Sequence, residues 1–81
     1  MKRIKLKNGK QKELIRKTKN KLQVSWKDFS KIIGHNESYI IYELRNEKRT
    51  LSEETYNKLC ELLGINFDEF IEKRLDKNWG Q

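Results

Sequence analysis

The chain has 81 residues, with 19 Lys and Arg against 12 Asp and Glu, one His, one Cys and no Pro. That length is one domain, above the roughly 40 residues below which disulfides or metals are usually needed; one Cys makes no internal disulfide, so hydrophobic packing has to hold the fold. No apolar run approaches the roughly 18 residues of a membrane span, and the charged start lacks the apolar stretch of a secretory signal, which points to a cytoplasmic protein without a membrane partner.

Charge is unevenly placed. Residues 1–21 hold ten basic side chains and one acid, Glu13, whereas residues 22–81 hold nine basic and eleven acidic ones. A cationic quarter on a near-neutral body suggests a polyanion as partner, nucleic acid before an anionic surface.

In chain order, residues 2–7 alternate Ile4 and Leu6 with Arg3, Lys5 and Lys7. No second strand is evident from the sequence, so this stretch reads as a basic arm over residues 1–9, closed by the turn signal Asn8-Gly9, with Asn8 available to cap the first helix. That helix is predicted from Lys10 to Leu22, with Leu14, Ile15, Thr18 and Leu22 as its apolar stripe. A second helix opens at Ser25, whose hydroxyl suits an N-cap, and buries Trp26, Phe29, Ile32 and Ile33 before Gly34 stops it. A third comes after Asn36, another N-cap residue, with Ile40 and Leu44 one turn apart and Asn46 as a left-handed stop. Thr50-Leu51-Ser52-Glu53 reads as a capping box for a fourth helix carrying Leu51, Thr55, Leu59, Leu62 and Leu63, with Gly64 at its end. Asn66 and Glu69 suggest a fifth, with Phe67, Phe70, Ile71 and Leu75 at helical spacing.

The expected fold is therefore all-α: a compact five-helix domain over residues 10–76, preceded by the basic arm and succeeded by a tail or linker over residues 77–81. The agreement of caps with stripes is the argument for it.

Two short helices joined by Gly34-His35-Asn36 make a helix-turn-helix candidate. From Val24-Ser25-Trp26-Lys27-Asp28-Phe29-Ser30-Lys31-Ile32-Ile33-Gly34, through Ser38-Tyr39-Ile40 and Leu51 to Leu59, to Leu62-Leu63-Gly64-Ile65-Asn66-Phe67-Asp68-Glu69-Phe70, the chain resembles the phage-repressor (Cro/XRE-like) helix-turn-helix domain. The resemblance covers about residues 12–71 without a gap and rests on the spacing of Phe29, Gly34, Ile40, Leu59, Leu63, Gly64 and Phe70. It implies a lambda-repressor-like DNA-binding domain, usually dimeric, with the third helix as reader. The chain departs from the pattern in several places. Ser30 stands for the usual Ala, Trp26 for a Gln that commonly meets the DNA backbone, Asn46 for a Gly and Leu51 for a Pro. The apolar-then-Glu pair late in the third helix is reversed as Glu43-Leu44, which predicts a different winding there. The run Tyr39 to Leu51, with the ending Asn78-Trp79-Gly80-Gln81, is also similar to segments that precede LAGLIDADG-type domains in some archaeal proteins, which would make the chain a fragment.

The resemblance maps base-edge contacts to Glu37, Ser38, Ile41 and Tyr42, with Ser38 able to reach several edges, Glu37 to accept from cytosine and Ile41 to touch a thymine methyl. Phosphate contacts fall to Lys27, Lys31, Arg45, Lys48 and Arg49, and an arm of Lys2, Arg3, Lys5 and Lys7 would follow the duplex. Phe67, Phe70, Ile71, Leu75 and Trp79 are candidates for a homodimer interface.

No enzyme is expected: His35 has no His partner, Cys60 lies on the apolar side of its helix, and no phosphate loop, metal-ligand set or cofactor motif is present. The sequence thus suggests a nucleoid-associated transcriptional regulator bound to double-stranded DNA. The alternatives are a DNA-targeting module of a larger nuclease-type protein, or an RNA- or protein-interaction domain on the same fold.

Overall fold

The computed structural model describes residues 2–76. Its elements run β1 (Lys2–Leu6), α1 (Lys10–Leu22), α2 (Trp26–Ile33), a π-helix (Tyr39–Leu44), β2 (Leu51–Ser52), α3 (Glu53–Leu63), a short 3-10 turn (Asp68–Phe70) and β3 (Ile71–Asp76). The all-α, five-helix expectation is overturned: four helices pack with a three-stranded antiparallel sheet of order β2-β1-β3.

The segment expected to be a basic arm is the middle strand of that sheet. Arg3 and Ile4 stand opposite Ser52 and Leu51 of β2. On the other side the register with β3 runs from Lys2 opposite Asp76 to Leu6 opposite Ile71, with a bulge between Lys5 and Leu6. Beyond the strand, Lys7 N–H still donates to the Phe70 carbonyl at 2.8 Å. The alternation of β1 puts Ile4 and Leu6 in the core, while Lys2, Lys5 and Lys7 are exposed. A strand bonded on both sides and buried on one face has no freedom to track a duplex as an arm.

The expected fifth helix is replaced by the 3-10 turn and β3. Ile71 and Leu75 are four residues apart, a spacing that suits one turn of helix and one face of a strand equally. Tertiary bonds choose the strand. Tyr56 of α3 accepts from the Phe67 N–H at 3.0 Å and donates its hydroxyl to Asp68 Oδ1 at 2.7 Å. Asn66 Oδ1 accepts from the Asp68 N–H at 3.1 Å, closing a local turn rather than capping a helix. Phe67 is buried in the core, and Phe70 and Ile71 pack half-buried against it, so the first part of the expected dimer stripe belongs to the monomer's own interior. Leu75 stands opposite Arg3 in the sheet. Trp79 and the tail 77–81 lie outside the described residues.

The first three helices begin and end close to where local signals place them. Ser25 Oγ accepts from the Asp28 N–H at 3.1 Å, and Gly34 closes α2 with φ 88°. Gly9, not Asn8, precedes α1. The fourth expected helix, α3, starts late: Ser52, not Thr50, caps it, accepting from the Thr55 N–H at 3.1 Å, because Leu51 and Ser52 are used by the sheet. The left-handed residue after the π-helix is Glu47, with φ 61°, and not Asn46.

The core gathers Ile4, Leu14, Ile15, Phe29, Ile40, Leu51 and Leu59, each almost fully buried, between the sheet and the helices. Three polar residues among those described, Gln11, Thr18 and Thr55, are buried with it. Thr18 donates its hydroxyl to the Leu14 carbonyl at 2.8 Å. Gln11 donates from Nε2 to the carbonyls of Leu44 at 2.8 Å and Arg49 at 2.7 Å, which satisfies the end of the π-helix.

Candidate nucleic-acid interface

Both helices of the helix-turn-helix candidate are present, joined across Gly34-His35-Asn36. After Gly34, Asn36 Oδ1 accepts from the Tyr39 N–H at 2.7 Å and caps the next helix. His35 in the turn has its Nε2 3.1 Å from Thr55 Oγ1, and its ring lies 5.2 Å from that of Tyr39. The only His of the chain therefore ties the turn to α3.

The helix after the turn is wound differently from its neighbours. Arg45 N–H donates to the Ile40 carbonyl and Lys48 N–H to that of Glu43, both five residues back. This π winding fits the displaced pair Glu43-Leu44. A π turn absorbs one residue more than an α turn, and Leu44, one position late for the family pattern, still reaches the core beside Ile40.

The residues expected to meet base edges separate in burial. Glu37 and Ser38 are exposed, and Tyr42 is 61% exposed. Ile41 is half-buried, as is Tyr39. Of the phosphate candidates, Lys27, Lys31, Lys48 and Arg49 are exposed and take no part in an ion pair among the described residues. Arg45 is different. It is half-buried, with its guanidinium carbon 5.4 Å from the centre of the Trp26 ring.

The strand cations divide too. Arg3 donates from Nε to Thr50 Oγ1 at 2.8 Å and from its guanidinium to the Thr50 carbonyl, so β1 holds the loop that comes after the π-helix. An open groove of about 630 Å³ there is lined by Arg3, Tyr39, Glu43, Lys48, Arg49 and Thr50. Lys5 pairs with Glu72 across the strands at 3.8 Å.

Sequence reasoning missed the surroundings of Trp26. Lys19 Nζ of α1 lies 4.8 Å from the centre of the same ring, and Phe29 meets it edge-on at 5.9 Å. Lys19 and Arg45 are far apart in sequence and on different elements, so no periodicity could have joined them.

Two groups titrate away from their ordinary values. The Lys17 hydrogen bond, with a smaller contribution from Lys10, pulls the half-buried Glu13 carboxyl down against some desolvation. Burial, reinforced by the bond to Asp68, pushes the Tyr56 hydroxyl up. Neither lies at the helix-turn-helix. Among the described residues no cluster of three or more His, Cys, Asp or Glu is placed to hold a metal, and no helix is long and apolar enough to cross a membrane.

No family model matches the chain, and no solved structure matches it. Among curated proteins, glutamine–fructose-6-phosphate aminotransferase (isomerizing) of Methanocaldococcus jannaschii is 40% identical over 57 residues, which is 70% of this chain. The chain spans 5% of that protein's length. The name belongs to the long protein as a whole, and the likeness is to a small segment of it.

Proposed function

We propose that the chain is a DNA-binding helix-turn-helix module that reads duplex DNA with the helix after Gly34 in the major groove. The reading is carried by the capped α2–π-helix pair across Gly34, on and after which Ser38, Tyr42, Lys27, Lys31, Lys48 and Arg49 are all exposed. A major groove about 12 Å wide admits one helix, and exposed cations suit the phosphates at its rims. Ser38, Glu37 and Tyr42 supply donors and acceptors for base edges, and half-buried Ile41 offers less. A transcriptional regulator acting at the nucleoid is the simplest setting for such a module, as a homodimer if it binds a two-fold site.

A second setting is favoured by one observation. The segment shared with the archaeal relative is 5% of a long chain, so this kind of unit occurs inside larger proteins. In that setting the module targets a larger protein, of nuclease type on the sequence resemblance, to DNA. The RNA reading is less well supported, because the Trp26 ring that would stack on an unpaired base is already occupied by Lys19 and Arg45.

The test is binding of random-sequence duplex across a range of salt, then selection from a random pool. Four phosphate contacts predict a log–log slope near −3.6, at about −0.9 each. A slope of that size with a two-fold enriched motif supports the dimeric regulator, and the slope with a one-sided motif supports the targeting module. Absence of duplex binding at low salt would remove the DNA reading altogether.

A further inference from the structure

Two cations meet on one indole. Lys19 Nζ, from the last turn of α1, lies 4.8 Å from the centre of the Trp26 ring, and the Arg45 guanidinium carbon, just past the π-helix, lies 5.4 Å from it. Phe29 braces the same ring edge-on from the core. The two charges are thus anchored on one rigid group.

Nothing among the described residues neutralises them. The ion pairs there use Lys5, Lys10, Lys17 and Arg74, and no carboxylate among those residues reaches Lys19 or Arg45. Arg45 Nε is buried and has no hydrogen-bond acceptor among them. That nitrogen is closed to solvent, so it is not the atom a ligand would meet. What stays open to a partner is the pair of charges that the Trp26 ring holds without a carboxylate among those residues.

We propose that Lys19 and Arg45, presented by Trp26, form a binding site for the phosphodiester backbone of nucleic acid. The chemistry is specific to that class. Arg offers a planar fork to phosphate oxygens, Lys a point charge, and successive phosphates along a strand let both be neutralised by one ligand. The proposal rests on the nucleic-acid reading above and adds α1 to the binding surface, which the helix-turn-helix alone does not use. Trp26 is a positioning residue here, acting through the two cations.

The test uses the full chain carrying Trp79→Phe, so that tryptophan emission reports Trp26 alone. Duplex DNA of about twenty base pairs and single-stranded DNA of the same length are titrated over a range of salt. Lys19→Gln and Arg45→Gln should each flatten the log–log salt slope by about 0.9. Trp26→Leu, which keeps both cations, should flatten it as well, while Lys58→Gln on α3 should leave it unchanged. If Trp26→Leu fails to fold by circular dichroism, the two cation variants decide. Duplex binding with slopes in Lys19→Gln and Arg45→Gln equal to that of Lys58→Gln overturns the site and leaves the DNA reading standing. Binding to single strands only, with the same slope losses, keeps the site and overturns the duplex reading. Binding to neither nucleic acid overturns both.

Discussion

Glu47 closes the amino end of α1 on Gly9, 38 residues earlier: its Oε1 accepts from the Gly9 N–H at 2.9 Å, and its Oε2 from the Lys12 N–H at 3.1 Å. The carboxylate satisfies first-turn donors that no local side chain caps, and it suits the positive end of the helix. It does so from a backbone with φ 61°, so a favourable side-chain contact is bought with local strain.

Three substitutions separate those two effects. Glu47→Ala loses the cap and keeps the strain, and should cost about 1 kcal/mol, in the range of other caps. Glu47→Gly loses the cap and relieves the strain, and should lie near the parent. Glu47→Gln keeps one of the two acceptors, loses the charge and should fall between the parent and Glu47→Ala. At about 4–8 °C per kcal/mol for a domain of this size, thermal melts resolve the order. A Glu47→Gly variant as unstable as Glu47→Ala would show that the backbone stores no strain there.

Gly34 should resist replacement for backbone reasons only. An added Cβ meets no atom within 4 Å, but φ is 88°. Gly34→Ala should therefore destabilise by about 1 kcal/mol, with Gly34→Asn milder because Asn tolerates the left-handed region. Urea titration at constant m checks this, and an Ala variant as stable as the parent would mean that the turn between α2 and the π-helix has relaxed to another conformation.

Tyr56 sets an alkaline limit. Its folded-state pKa is raised above the ordinary 10.0, by burial first and then by the bond to Asp68. The folded state therefore favours the neutral hydroxyl. The contribution is fully present below the unfolded pKa and is lost as pH rises through the folded one. Stability should fall above about pH 10, the unfolded tyrosine value. Tyr56→Phe should remove Tyr56's share of that fall. It should also cost about 1–3 kcal/mol at neutral pH, because it leaves the buried Phe67 N–H without its acceptor. An unchanged alkaline melting curve in Tyr56→Phe would count against this assignment.

Glu13 acts at the acid end. Lys17 Nζ lies 3.0 Å and Lys10 Nζ 3.4 Å from its two oxygens, and the carboxyl pKa is lowered. With the folded pKa depressed, the contribution is present above the unfolded pKa and is lost as pH falls through the folded value. Solvent reaching the pair from the exposed Lys17 side and salt screening keep it small. A melting series from pH 7 downward should lose less in Glu13→Gln than in the parent, and the difference should shrink in high salt. Equal acid losses in the two proteins would show that the pair is energetically silent.

Gln11 tests how the π-helix is held. Gln11→Leu removes the donor shared by the Leu44 and Arg49 carbonyls inside the core, and should cost about 1–3 kcal/mol. Amide exchange should then accelerate at Arg45 and Lys48, whose N–H groups close the five-residue turns. Loss of stability without that local acceleration would place the role of Gln11 in packing alone.

By itself the sequence determined the helices that carry local signals. Ser25 and Asn36 cap the amides that their spacing predicts, and Gly34 and Gly64 end α2 and α3 in the left-handed conformation. These signals act over three or four residues and hold where no sheet competes for them, unlike that of Thr50, which gives way to Ser52 as the cap of α3. The exposed Ser38 and Tyr42 and the buried Leu14, Phe29 and Leu59 reflect the same periodicity. Only the tertiary structure decided the sheet. Residues 2–6 and 71–76 each alternate or repeat too briefly to specify a strand, and each becomes one because the other is present to take its hydrogen bonds. The same holds for the Glu47 cap on α1 and for the meeting of Lys19 and Arg45 on Trp26. Those contacts join elements whose separation in the chain erases any pattern, so packing alone creates them.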